Sequence, residues 1–242
     1  MSKRIVIIPT YNEIENIDLI IEAVFDLTMP FDILIVDDSS PDGTGKRVKA
    51  FQSQYPGLHL LERKEKNGLG TAYIAGFKWC LERGYDFICE MDADFSHNPP
   101  DLIKLYNACE KGADMSVGSR YVTGVNVVNW PMSRVMLSFF ASKYVRFITG
   151  IDIHDTTAGF VCYKAIVLQT MDLDRIKFRG YAFQIEMKFT TWKHGFKIVE
   201  VPIIFTDRTR GESKISKGII KEAVWGVVSM KMKSWFRKYP HA

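Results

Sequence analysis

Asp92 and Asp94 flank Ala93 at the end of the apolar run Phe87-Ile88-Cys89-Glu90-Met91, and their types and spacing suit metal chemistry. Successive side chains on a strand point to opposite faces, but both carboxylates can converge where the strand gives way to a loop. Two convergent anionic oxygens suit a hard divalent cation such as Mg²⁺ or Mn²⁺. Such an ion keeps several waters and takes its remaining ligands from substrate phosphates. The same residues would also serve as a cap for the helix that starts near Asn98-Pro99-Pro100, with a solvated neighbour. Other clusters along the chain bear on that choice.

Pro9-Thr10-Tyr11-Asn12-Glu13 offers an aromatic face and a carboxylate just past the first apolar run, suited to a nucleobase and its donor groups. Asp38, in Asp37-Asp38, could accept hydrogen bonds from a base, although paired Asp residues are also common in turns. Gly68 and Gly70 would allow close backbone approach to a ligand. No Gly-x-Gly-x-x-Gly follows the first strand, so a dinucleotide fingerprint is absent. Gly118-Ser119-Arg120-Tyr121 ends a strand with a guanidinium, and Asp155-Thr156-Thr157-Ala158-Gly159 holds a carboxylate in a tight loop. Arg208-Thr209-Arg210-Gly211-Glu212-Ser213-Lys214 carries three Arg or Lys cations and hydroxyls suited to phosphate oxygens, or is a solvated basic loop. The five His residues show no metal-ligand spacing, and no Ser-His-Asp or Cys-His set can be assembled.

These clusters need a frame. Buried strands are expected at 5–8, 33–36, 58–62, 85–91 and 113–119, alternating with helices at 15–25, to about 54, 72–83 and 102–111. That alternation predicts an α/β fold, a parallel sheet with helices on both faces. Ligands of such sheets bind beyond the carboxyl ends of the strands, where every polar cluster of the first half falls. Later, an amphipathic helix is expected over 134–148, a strand at 160–163, a helix at 183–192, a strand at 197–205 and a final helix at about 219–236. Without a repeat or linker, one domain is the expected count.

Composition is globular: 47% hydrophobic, 25% charged and 13% aromatic, with a net charge of +4 too small to indicate nucleic acid. Between Arg208 and Lys238 the chain holds nine Lys or Arg against two Glu, interleaved with Trp225, Trp235, Phe236 and Tyr239. The four Cys residues have no paired spacing, so buried thiols in a reducing cytosol are expected rather than zinc or disulfides. No signal peptide is read at the start, and no apolar run reaches the ~18 residues of a membrane span. A cytosolic protein, peripheral at a membrane surface, is the expectation.

In their order, the clusters resemble the family 2 glycosyltransferases, and within them the dolichyl- or polyprenyl-phosphate mannose synthases. The carriers are Pro-Thr-Tyr-Asn-Glu (9–13), Val-Asp-Asp-x-Ser-Pro-Asp-Gly-Thr (36–44), Gly-Leu-Gly-Thr-Ala-Tyr (68–73) and Met-Asp-Ala-Asp (91–94). They continue with Gly-Ser-Arg-Tyr (118–121), Gly-Tyr-x-Phe-Gln-x-Glu-Met (180–187) and Arg-x-x-Gly-x-Ser-Lys (208–214). The resemblance implies a GT-A fold, a Rossmann-like, mostly parallel sheet with carboxy-terminal amphipathic helices. It implies a nucleotide-binding half at about 1–120, an acceptor-binding half at about 121–215 and an amphipathic helix at about 217–238.

By the same resemblance, Pro9, Tyr11, Glu13, Val36 and Asp38 would bind the nucleoside. Asp92, with Ala93, would lie beside the diphosphate, Asp94 would be the main metal ligand, and Asp92 and Ser96 would complete the metal set. Arg120, Arg208 and Lys214 would contact phosphates and sugar, and Arg134 would receive the lipid phosphate. Asp155 would orient Arg134, Arg208 or the acceptor. Ser96 departs from the Gln of some relatives, Thr157-Ala158-Gly159 departs from Thr-Ser-Gly, and the multi-span carboxy-terminal region of some relatives has no counterpart here.

The implied reaction is inverting transfer of mannose from GDP-mannose to a polyprenyl monophosphate. A phosphate monoester, with a second pKa near ~6, is largely dianionic at neutral pH and needs no general base. Catalysis would then be positioning plus charge compensation by Asp94 with its metal, Arg208 and Lys214. UDP-glucose as donor, a saccharide or glycolipid hydroxyl as acceptor with Asp155 as base, and a non-catalytic nucleotide-sugar sensor are the competing readings. Docking to the membrane would fall to the helix after Arg134 and the final Lys- and Trp-bearing helix, or to a membrane-anchoring partner protein.

Overall fold

Period-two alternation in the apolar runs divides their side chains between two helical layers. The computed structural model describes residues 2–180, 182–207 and 217–240. In it β1 (Arg4–Thr10), β2 (Asp32–Asp37), β3 (Leu58–Glu62), β4 (Phe87–Glu90) and β5 (Met115–Ser119) alternate with four helices. These are α1 (Ile17–Phe25), α2 (Thr44–Phe51), α3 (Leu69–Glu82) and α4 (Asp101–Glu110). Ile5, Ile7, Leu34 and Val36 pack in one core with Tyr73 and Phe77 of α3. Val6, Ile8, Ile33 and Ile35 pack in the other with Ile17 and Ile20 of α1 and Leu102 and Leu105 of α4. All are fully buried, each apolar side chain contributing roughly 1.5–3 kcal/mol on leaving water.

The chain continues through β6 (Val127–Val128), α5 (Met132–Thr149), β7 (Val161–Lys164), α6 (Ala165–Thr170), α7 (Ala182–Lys193), β8 (Ile198–Pro202), β9 (Phe205–Thr206) and α8 (Lys217–Ser234). Seven strands form one sheet in the order β3-β2-β1-β4-β7-β5-β8. All its pairs are parallel except those of β7, which runs antiparallel to both β4 and β5. The strand expected over 197–205 is two: Pro202 has no amide proton to offer and ends β8. After it, β9 pairs with β6 in a separate parallel ladder.

Helices α5, α7 and α8 form a third cluster around Val145, Ile185, Phe189, Val227 and Met230. Among the described residues, hydrogen bonds tie α5 to α8: Tyr144 Oη donates to the Val224 carbonyl at 3.0 Å and Lys231 Nζ to the Thr149 carbonyl at 2.8 Å. The four cysteines are buried free thiols. Among the described residues no helix is long and apolar enough to cross a membrane.

Candidate active site

Parallel pairing places the carboxyl ends of β1, β2, β4 and β5 on one edge, and with them Tyr11, Asp38, Asp92, Asp94 and Arg120. Because β7 is antiparallel, its amino end lies at that same edge, so the 155–159 loop before it arrives there too. The backbone is strained at these exits. Asn12, Ser39 and Phe95, which follow β1, β2 and β4, have φ of 58°, 54° and 60°. Asn129, beside Trp130, has φ 62°. Left-handed non-glycine residues cost roughly 1–3 kcal/mol and gather at functional loops.

At the β2 exit, Asp37 organises the turn: its Oδ1 accepts the hydroxyls of Thr10 and Ser40 at 2.9 and 2.6 Å. Asp38 pairs with Arg63, its Oδ1 at 2.9 Å from Nη1. Burial raises its carboxyl above the ordinary value, with Arg63 opposing. Lys66 Nζ stands 3.9 Å above the ring of Tyr11. The Glu13 N–H donates to Thr44 Oγ1 at 3.1 Å, and its Oε2 accepts from Asn16 Nδ2 at 2.9 Å. Pro9 pairs with Val36 across the β1–β2 ladder. Val36 itself is wholly buried in the core, so its side chain serves packing and its backbone delivers the Asp pair.

The β4 exit is held by its own backbone. Ser96 N–H donates to Asp94 Oδ1 at 3.0 Å, and the Asp92 N–H to His97 Nδ1 at 3.2 Å. Asp94 and Ser96 are buried, Ala93 packs into the core, and the Asp92 side chain is more open, 38% exposed. Burial drives the His97 pKa down to about 4, so the ring is neutral and can accept at Nδ1. Its ring stacks on Phe160 at 4.7 Å and meets Phe205 edge-on at 5.4 Å. The Thr206 N–H reaches the Ser96 carbonyl at 3.4 Å, tying the β6–β9 ladder to this loop.

Asp155 engages Arg120 rather than Arg134. It is wholly buried and receives Arg120 three times: from Nε at 2.7 Å, from Nη2 at 2.6 Å and from the backbone N–H at 3.0 Å. Arg120 also donates to Thr157 Oγ1 at 2.9 Å. Burial works to raise the Asp155 carboxyl, but the charge and hydrogen bonds of Arg120 outweigh it and hold it below its usual range. Arg134 instead pairs with Asp207 at 2.8 Å. Lys188, fully buried on α7, donates to the Ala158 carbonyl at 2.6 Å and so pins the same loop. The Gln184 side-chain amide donates to Glu90 at the end of β4. Desolvation pushes Lys188 down and Glu90 up.

The glycines before α3 also make close packing possible. A Cβ on Gly70 would stand 2.7 Å from the Phe178 carbonyl and from Phe183, and one on Gly68 would stand 3.1 Å from Arg179. Arg208 and Lys214 lie outside the described residues. Sequence reasoning missed Arg63, His97, Trp130 and Asp207. Only His97, three residues past Asp94, carried a local signal.

A parallel-rich α/β sheet with acidic and basic loops gathered at one edge is the frame of a nucleotide-sugar transferase, and comparison agrees. Residues 5–171 match the model of glycosyl transferase family 2, and this chain belongs to that family. It is 49% identical to undecaprenyl-phosphate mannosyltransferase of Micrococcus luteus over 92% of this chain and 93% of that one. It is 47% identical to polyprenol monophosphomannose synthase of Mycolicibacterium smegmatis, over 93% and 88%. Glucosyl-3-phosphoglycerate synthase from Mycobacterium tuberculosis shares the fold, with TM-score 0.70 at 14% identity, covering 96% of this chain and 79% of that one.

Proposed function

We propose that this glycosyltransferase moves mannose from GDP-mannose to the phosphate of a polyprenyl monophosphate, with inversion. Its similarity to two mannosyltransferases named for polyprenyl acceptors, over nearly the full length of each, supports the sugar and the acceptor. The observation that carries the reading is the Arg120–Asp155 pair. A hydroxyl acceptor needs a base, and the obvious carboxylate is buried, held low and fully engaged with a guanidinium. A phosphate acceptor is already anionic and needs cations instead, and we assign Arg134 to it. Labelled GDP-mannose and labelled UDP-glucose, each incubated with polyprenyl phosphate and then partitioned into organic solvent, test this. Label extracted only from GDP-mannose is expected, and extraction only from UDP-glucose would overturn the donor.

The donor set at the β4 exit fits Mg²⁺ or Mn²⁺. Asp92 and Asp94 supply hard oxygens, and among the described residues no third His, Cys, Asp or Glu joins them. That leaves most of the coordination shell to diphosphate and water, with Ser96 as the further protein ligand we assign. A bound ion supplies charge compensation to the departing diphosphate. Tyr11, Glu13 and Asp38 hold the nucleoside, and Arg208 and Lys214 complete the phosphate clamp.

A polyprenyl tail lies in a bilayer, and two exposed stripes suit a bilayer surface. On α5, Met132, Met136, Leu137, Phe140 and Phe147 recur at helical spacing on the solvent side, Phe147 being 87% exposed. Trp225 is exposed midway along α8, and Trp235 and Phe236 just beyond its end. Interfacial helices pair such stripes with cations, and Lys143, Lys233 and Lys238 are exposed beside them. We assign docking at the cytosolic face of a membrane to this surface.

A further inference from the structure

Two guanidiniums lie against the ring of Trp130. The Arg134 guanidinium carbon is 4.0 Å from the centre of its ring, and that of Arg120 is 5.4 Å away. Phe205 meets the same ring edge-on at 5.1 Å and in turn touches His97, whose Nδ1 holds the Asp92 backbone. Both partners of Arg134 come from one small ladder. Trp130 follows β6, Asp207 follows β9, and the Asp207 N–H closes the ladder on the Val128 carbonyl at 3.0 Å. Asn129, held at φ 62°, sets the direction in which Trp130 leaves it.

A guanidinium that must grip a phosphate needs its plane fixed and its N–H fork available. Stacking on an aromatic face fixes the plane and consumes none of the five N–H donors. Asp207 takes Nη1 of Arg134, so the ring does the remaining orientation without competing for the anion. Cations over Trp are held more strongly than over other rings.

We propose that Trp130 is a positioning residue of acceptor recognition, holding the Arg134 fork toward a phosphate monoester. This rests on the polyprenyl-phosphate reading above. The test compares Trp130→Phe, which keeps an aromatic face, with Trp130→Leu, which keeps apolar bulk alone. One arm measures steady-state KM for polyprenyl phosphate and for GDP-mannose. The other measures calorimetric binding of farnesyl monophosphate without nucleotide sugar. Trp130→Leu should raise acceptor KM and weaken farnesyl phosphate binding about ten-fold, with donor KM unchanged, and Trp130→Phe should stay within about three-fold of wild type. Equal behaviour of the two variants, or a donor KM that moves with the acceptor's, overturns the proposal. Wild type that binds farnesyl phosphate through Trp130 yet transfers no mannose would sink the donor assignment and leave this one standing. Wild type that binds no prenyl phosphate sinks both.

Discussion

The guanidinium of Arg120 and the carboxylate of Asp155 form a two-pronged pair, at 2.7 and 2.6 Å, that clamps the end of β5 to the loop before β7. One side of the pair is wholly buried and the other nearly so. Neither partner has water to fall back on, so removing one leaves a charge stranded in the interior.

Arg120→Ala should therefore destabilise the protein by about 3–5 kcal/mol, the cost of an orphaned buried charge. Asp155→Asn should cost less, because the amide oxygen still accepts from Arg120. Asp155 is held low in the folded state. Its contribution is present above the unfolded carboxyl pKa of ~3.9 and is lost as pH falls through the folded value. Urea midpoints recorded from pH 7 down to the acid limb should show a steeper acid loss in wild type than in Asp155→Asn.

Asp94→Ala should abolish transfer and the divalent-ion dependence of nucleotide binding while thermal unfolding stays cooperative. The carboxylate sits at a strand exit, and when the Ser96 N–H loses it the Asp92 N–H still holds the loop to His97 Nδ1. Wild-type transfer that proceeds equally with and without chelator would remove the metal from the reading.

Arg208→Ala and Lys214→Ala should each slow turnover by on the order of 10²–10³, the usual loss when one donor to developing charge is removed. Single-turnover rates at saturating donor separate this from weaker binding. Near-normal rates in both variants would make residues 208–214 a solvated loop.

Binding to anionic vesicles should fall with rising salt. It should weaken when Met136 and Phe140 become Ser, and when Lys143 and Lys233 become Glu. Lys231 is a poor probe, because its ammonium caps the carboxyl end of α5 through the Thr149 carbonyl and its loss would loosen the helix pair. Flotation without binding, together with full activity on detergent-dispersed acceptor, would give the anchoring role to a partner protein.

The first five strands and their helices were legible because each side-chain pattern closes on local signals: apolar alternation, then a turn dense in Asp, Asn and Gly. The carboxylates and Arg120 at strand ends were legible for the same reason, since sheet-edge chemistry follows from where strands stop. The direction of β7 was not. A buried run such as Phe160 to Tyr163 looks the same in either sense, and only pairing with Cys89 and Ser116 reveals β7 as antiparallel. Pairings between distant residues were equally silent. Asp155 chose Arg120 over Arg134 because its loop enters beside β5, and Asp207 met Arg134 through a two-residue ladder too short to leave a pattern.

Strand β7 also bears on how the chain must be made. Emerging from a ribosome, residues 1–120 can lay down β1 to β4, but β5 has no neighbour until β7 and β8 follow it. Until then β4 and β5 are raw edges open to any passing strand, and both wait for the same four residues, Val161–Lys164. A nascent chain stalled near residue 120 would carry the sheet-edge carboxylates on an unfinished lattice. The sheet draws its strands from both sides of residue 120 and cannot be cut along that line.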